Sequence, residues 1–243
     1  MHAEPPAPLP PPGGLVVLPV HGLPEVRRGD DLAGLIAAAV EICDGDVLVV
    51  TQKIVSKAEG RVVPVDPGDP GAKVRLAESE SARVLRRRGE LVITETAHGF
   101  VCANAGIDLS NVAAGYAVLL PEDPDRSARR IRDALAGRFG VRCGVIVSDT
   151  FGRPWRRGVT DVAIGCAGVA AVLDLRGTRD GTGRELQATE ICVADEIAAA
   201  AELVKGKAAS CPVAIVRGVD PAWLRDSSVR AEVVRPPAED LFR

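Results

Sequence analysis

The chain has 243 residues, long enough for one large domain or two small ones with a real core. Hydrophobic residues make up 47% and aromatics only 3%, so that core is aliphatic, and a net charge of −3 argues against nucleic-acid binding. The longest apolar run, at 163–173, is about half of the roughly 20 residues a membrane helix needs, which excludes a spanning segment of that kind.

The N-terminal stretch MHAEPPAPLPPPGG lacks the apolar centre of a secretory signal and reads as a disordered, proline-rich tail over 1–14. Strand-like runs rich in Val and Ile follow at 15–20, 46–55, 90–96, 117–121, 141–149, 211–218 and 229–234, each bounded by Gly, Pro or Asp. Helices fit between them. Asp30 and Asp31 are placed to cap LAGLIAAAVEIC, which Asp44-Gly45 ends. A charged helix is expected over 72–88, closing on Arg86, Arg87 and Arg88 at the negative pole of its dipole. Asp123-Pro124 opens a third that runs to Gly140, and 189–206 gives an Ala-rich fourth ending in Lys-Gly. This interleaving predicts an α/β or α+β protein with helices covering sheet faces. The six cysteines form no C-x-x-C pair and sit mostly in apolar stretches, as small hydrophobes of a reducing cytoplasm would.

Four clusters carry residues able to do chemistry. LPVHGLPEVRRGDDL (18–32) is either a loop that stops a strand or a rigid wall for a ligand at a strand's carboxyl end. In TQKIVSKAEGR (51–61), Lys53 and Lys57 are two of only five lysines, either solvated strand ends or point charges for a phosphate. ANAGIDLSN (103–111) surrounds Asp108 with turn formers; an Asx-turn is the plain reading and a metal carboxylate flanked by Asn104 and Asn111 the alternative. VSDTFGRPWRRG (147–158) ends an apolar strand in Asp149 and Thr150, hard oxygen donors suited to Mg²⁺ or Mn²⁺. Arg153, Arg156 and Arg157 follow with Trp155, a set for anion binding and stacking or a capped turn with a Trp lid.

Together these clusters describe a site for a polyanion and a divalent cation. No P-loop, dinucleotide fingerprint, nucleophile elbow or Cys/His pair is present, and GTRDGTGRE (177–185) reads as a loop. His21 and His98 lack metal-ligand spacing and read as structural.

These motifs, with ADEIAAAAELVKGK and CPVAIVRG, resemble the coenzyme F420:L-glutamate ligase (gamma-glutamyl ligase) family in the same order from Leu15 to the C-terminal EDLFR. The resemblance implies an unusual two-part α+β fold over 15–243 in place of a Rossmann or ATP-grasp one, with two intertwined subdomains and mixed or antiparallel sheets. It implies a cytoplasmic homodimer that uses GTP, Mn²⁺ or Mg²⁺, and K⁺ to add L-glutamate to F420-0 and extend a gamma-linked tail. By matching motif, Asp108, Asp149 and Thr150 are the implied metal ligands. Lys57, the loop Leu23, Pro24, Glu25 and Val26, and Asn111 are the implied GTP contacts. So is the stretch Leu203, Val204, Lys205, Gly206, Lys207, Ala208, Ala209 and Ser210, and so is Gln52, where some relatives carry Ser. Many actinobacterial relatives fuse a flavin-binding domain where this chain ends, so FMN binding is not expected.

The implied chemistry is attack of the acceptor carboxylate on the γ-phosphorus, then displacement of phosphate from the acyl phosphate by the glutamate amine. Two rival readings stand beside it: an amide ligase for another carboxylate acceptor, and a GTP-binding regulatory module without turnover.

Overall fold

The computed structural model describes residues 13–207 and 209–241; the expected tail lies outside them except for Gly13 and Gly14. In chain order the elements are β1 (Val16–Val20), α1 (Leu32–Ala39), β2 (Val47–Thr51), α2 (Gln52–Glu59), β3 (Val62–Pro64) and α3 (Ala72–Ser79). Next come β4 (Ser81–Arg88), β5 (Leu91–Thr96), β6 (Val101–Ala103), β7 (Tyr116–Val118), α4 (Pro124–Phe139), β8 (Gly144–Gly152) and β9 (Val159–Ala167). The chain continues through β10 (Leu173–Asp174), β11 (Glu190–Ile191), α5 (Val193–Lys205), β12 (Val213–Arg217) and α6 (Val229–Glu232). Among the described residues, no helix is long and apolar enough to cross a membrane.

A five-stranded mixed sheet, ordered β1-β12-β2-β8-β9, organises the molecule; only β2 and β8 run parallel. Pro19 is tolerated because β1 is an edge strand. The inner strands are apolar at successive positions because both faces are covered. Leu48, Val50, Val145 and Val147 join a core with Ile36 of α1, Val55 of α2 and Leu135 of α4. Val47, Val49 and Ile146 point the other way, onto Ala194, Ile197, Ala198 and Ala201 of α5, one stripe at helical spacing. Small antiparallel sheets, β3-β7 and β4-β5-β6, flank a third cluster of Ala77, Ala105, Ile107, Ala117 and Leu119. The fold is α+β, with helices on both faces of the main sheet.

Local signals hold where their partners are contiguous. Asp123 accepts a hydrogen bond from the Arg126 amide (2.8 Å), Pro124 sits in the first turn, and Gly140 ends α4 at φ +71°. Cys102, Cys143, Cys166 and Cys211 are buried as small hydrophobes.

Five expectations need correction. The run over 46–55 is not one strand: it turns helical at Gln52, where Ile54 and Val55 meet the core and Gly60 (φ +74°) closes the helix. The helix expected over 72–88 stops at Ser79, and Ser81–Arg88 pairs with β5, so the three arginines lie on a strand. The strand expected over 229–234 is the short helix α6. The Ser228 hydroxyl accepts from the Ala231 amide (3.2 Å), and buried Asp125 accepts from the Val229 and Arg230 amides (2.8 and 3.1 Å). The helix expected over 189–206 starts at Val193, because Glu190–Ile191 pairs with β10. Asp31 does stand at the start of α1, but its carboxylate is held by the Arg138 guanidinium, and α1 ends at Ala39 rather than at Asp44-Gly45.

Candidate functional site

Where β2 and β8 end side by side, the sheet opens into a pocket of about 730 Å³. Ligand sites of α/β sheets gather at such carboxyl ends, and the volume is in their usual range. One wall is the loop Leu23–Val26 and the first turns of α2, which bring in Lys53 and Lys57. The 103–111 loop, joined to those lysines through Asp108, Ser110 and Asn111, completes the lining together with Asp149 to Gly152 and residues at and after the end of α5. Asn104 (φ +51°), Asn111 (φ +54°) and Ser210 (φ +50°) take left-handed backbone at this pocket, a strain that clusters at functional sites.

Asp108 Oδ1 accepts from the Ser110 amide at 2.6 Å, closing an Asx-turn, while Oδ2 lies 2.8 Å from Lys53 Nζ. The Asx-turn reading holds, and the turn places Asp108 on the pocket wall. Burial raises its pKa, but Lys53 and Ser110 outweigh that and hold it below the ordinary value. Lys57 Nζ meets Glu25 Oε1 at 2.5 Å and the Asn111 carbonyl at 2.9 Å, joining three segments distant in sequence.

Asp149 lies half-buried. Burial pushes its carboxyl up to about 7, reinforced by the charges of Asp161 and Asp108. No ion pair within 4 Å is made by it among the described residues, whereas Asp108 has Lys53 and Asp161 has Lys205 and Lys207. On the other face of β8, Thr150 donates to Asp161 Oδ1 at 2.6 Å. Burial of Asp161 opposes ionisation, yet the Lys205 ammonium, with help from Thr150 and Lys207, holds its carboxyl below the ordinary value.

The donor set fits a hard divalent cation: the Asp108 and Asp149 carboxylates, the second desolvated and without an ion pair within 4 Å among the described residues, and the Thr150 hydroxyl. Among the described residues no three His, Cys, Asp or Glu side chains form a cage, so water and substrate phosphates would complete a coordination shell, as is usual for Mg²⁺.

The remaining candidates divide. Leu23, Pro24, Glu25, Val26, Lys205, Gly206, Lys207 and Ser210 line the pocket with Lys57 and Asn111. Gln52 does not; it is buried, accepting from the Ser56 hydroxyl at 3.0 Å. Leu203 is 86% exposed on α5, Val204 packs on the α5-side core, and Ala209 is not on the pocket wall. Ala208 lies outside the described residues. Trp155 is 86% exposed at the β8–β9 hairpin tip, so it is no lid over the core, and Arg153, Arg156 and Arg157 are exposed there, off the pocket wall. Lys53 was visible in sequence as a strand-end lysine, but its pairing with Asp108 was not. Asp161, Ser148 and Glu202 carried no local signal.

The family model described as F420-0:Gamma-glutamyl ligase matches residues 22–218. The coenzyme F420:L-glutamate ligase of Methanopyrus kandleri is 44% identical over 253 residues, covering 95% of this chain and 100% of that protein. Its namesakes from Methanothermobacter thermautotrophicus and Archaeoglobus fulgidus are 42% and 43% identical, covering 95% and 93% of this chain and 99% and 96% of their own lengths.

Proposed function

The chain belongs to the F420-0:gamma-glutamyl ligase family, and from that premise we propose that it joins L-glutamate to the F420-0 side chain and extends a gamma-linked tail, using GTP and Mn²⁺ or Mg²⁺. One observation supports this reading most. Asp108, Asp149, Thr150, Lys57 and the 23–26 loop, scattered over 128 positions, converge on one pocket.

In this reading Asp108, Asp149 and Thr150 hold the divalent ion, which supplies charge neutralisation of the phosphate oxygens. Lys57 and Lys207 bring ammonium groups to the same pocket, where each can donate to phosphate or carboxylate oxygens. The acceptor carboxylate attacks the γ-phosphorus; the bond to the bridging oxygen breaks and GDP leaves, forming an acyl phosphate. The glutamate amine then attacks the acyl carbon and expels inorganic phosphate, forming the amide. Ile54, Ile107 and Phe151 add apolar side chains to the pocket wall, where an acyl phosphate would meet less water. Dimerisation, K⁺ activation and a cytoplasmic setting come with the family resemblance.

Mass spectrometry of F420-0 incubated with glutamate, Mn²⁺ and either GTP or ATP tests the reading. A ladder at glutamyl spacing with GTP is expected. GTP hydrolysis with a different acceptor, or GTP binding with no phosphate release under any acceptor, would refute it.

A further inference from the structure

We propose that Asp161 is the positioning residue of this centre: its buried carboxylate holds the Thr150 hydroxyl as a donor and so turns that oxygen's lone pairs toward the pocket. The proposal rests on the reading of Thr150 as a metal ligand.

The register of the β8–β9 pair creates the arrangement. Val147 faces Gly165, but a bulge then skips Ile164, so Ser148 faces Ala163 and Thr150 faces Asp161. Were Ile164 paired instead of bulged, Thr150 would face Val162, whose side chain has no acceptor. Bulges of this kind re-aim side chains beside functional sites.

Each oxygen of Asp161 then serves one hydroxyl and one ammonium. Oδ2 accepts from Ser148 Oγ and Lys205 Nζ, both at 2.9 Å; Oδ1 accepts from Thr150 Oγ1 at 2.6 Å and Lys207 Nζ at 3.2 Å. A carboxylate only accepts, so both hydroxyl protons point at it and both hydroxyl oxygens are left as acceptors. Those lone pairs already meet cations: Lys205 Nζ donates to Ser148 Oγ at 2.9 Å, and Lys207 Nζ lies against Thr150 Oγ1. Lys205, with 3% side-chain exposure, neutralises the carboxylate and keeps it ionised. Asp161 itself does not line the pocket, so its influence passes through Thr150.

The test is the Mn²⁺ dissociation constant, read from the EPR signal of free Mn²⁺, in a double-mutant cycle. Asp161→Asn combined with Lys205→Met removes the buried pair together and avoids stranding a charge. Groups that orient a ligand from behind typically change metal affinity by about 10–100-fold, and a rise in Kd of that size is expected. In a Thr150→Val background, itself weaker than wild type, the same pair of substitutions should add less than about twofold, because the route runs through Thr150. A Kd within twofold of wild type, or losses that multiply in the Thr150→Val background, would overturn the proposal. Should Thr150→Val leave the Kd unchanged, the metal-ligand reading fails and this proposal with it. If the Asp161/Lys205 variant does not fold, Asp161→Glu keeps both charges and moves the carboxylate by one methylene; a rise in Kd in the same range is expected and an unchanged Kd overturns the proposal.

Discussion

Replacing Asp149 with asparagine should stabilise the cation-free protein while abolishing glutamate ligation. Burial, with the charges of Asp161 and Asp108, raises the Asp149 carboxyl from an ordinary 3.8 to about 7. Below the ordinary value both folded and unfolded chains hold the proton, and the group contributes nothing to the balance. Between 3.8 and about 7 the unfolded chain ionises while the folded one resists, so stability falls as pH rises through that window. At about 1.36 kcal/mol per tenfold change, the full gap is an upper bound of about 4 kcal/mol above neutral pH. For a chain of this length that corresponds to roughly 8–16 °C in melting temperature. Calorimetry of wild type and D149N in chelator, from about pH 4 to about pH 8, measures it; the gap should be widest at the alkaline end and close at the acid end. Mn²⁺ added at about pH 8 should raise the wild-type melting temperature and leave D149N unmoved, since the acid it would neutralise is gone. A D149N protein no more stable than wild type at about pH 8, or a gap independent of pH, would refute the reasoning. Such a result would mean that Asp149 is solvated or already neutralised.

Three further outcomes are expected. Arg217 grips Asp46 through two hydrogen bonds of 2.8 and 2.7 Å between β12 and the start of β2, so Arg217→Met should cost about 3–5 kcal/mol in urea unfolding by stranding a buried carboxylate. Gly165→Ala would set a Cβ 2.3 Å from the Pro124 carbonyl carbon and 2.4 Å from its oxygen, forcing α4 off β9; a loss of at least about 3 kcal/mol, or no soluble protein, is expected, and a wild-type melting curve would contradict it. Leu203→Ala, at an 86% exposed position away from the pocket, should change stability by less than about 0.5 kcal/mol and leave the GTP KM unchanged; a raised KM would show that Leu203 meets the nucleotide.

Much of the candidate site was legible as separate motifs. Asp149 and Thr150 stand out because an apolar strand ending in hard oxygen donors is chemically odd, and Lys57 because lysine is scarce. Asp108 was ambiguous from its neighbours alone, since a turn former and a metal carboxylate have the same local sequence. The structure shows the Asx-turn and adds a Lys53 partner that the local sequence did not reveal. Gln52 and Leu203 went the other way: a shared motif brought them forward as GTP contacts, and their positions, one buried and one solvated, lie off the pocket wall.

The sequence by itself determined the features written in contiguous residues: the Asp123-Pro124 start and Gly140 stop of α4, the doubly covered strand β2, the aliphatic core and the family motifs. Caps, periodicity and burial patterns act over a few residues, so a short window contains their cause. Tertiary structure decided whether Gln52–Glu59 and Val229–Glu232 are helix or strand, because packing on the core and the reach of Asp125 outweigh weak local preference. It alone decided that Asp161 faces Thr150. That pairing depends on a single bulged residue between two strands, and register across strands is set by long-range hydrogen bonding and packing rather than by the residues on either side.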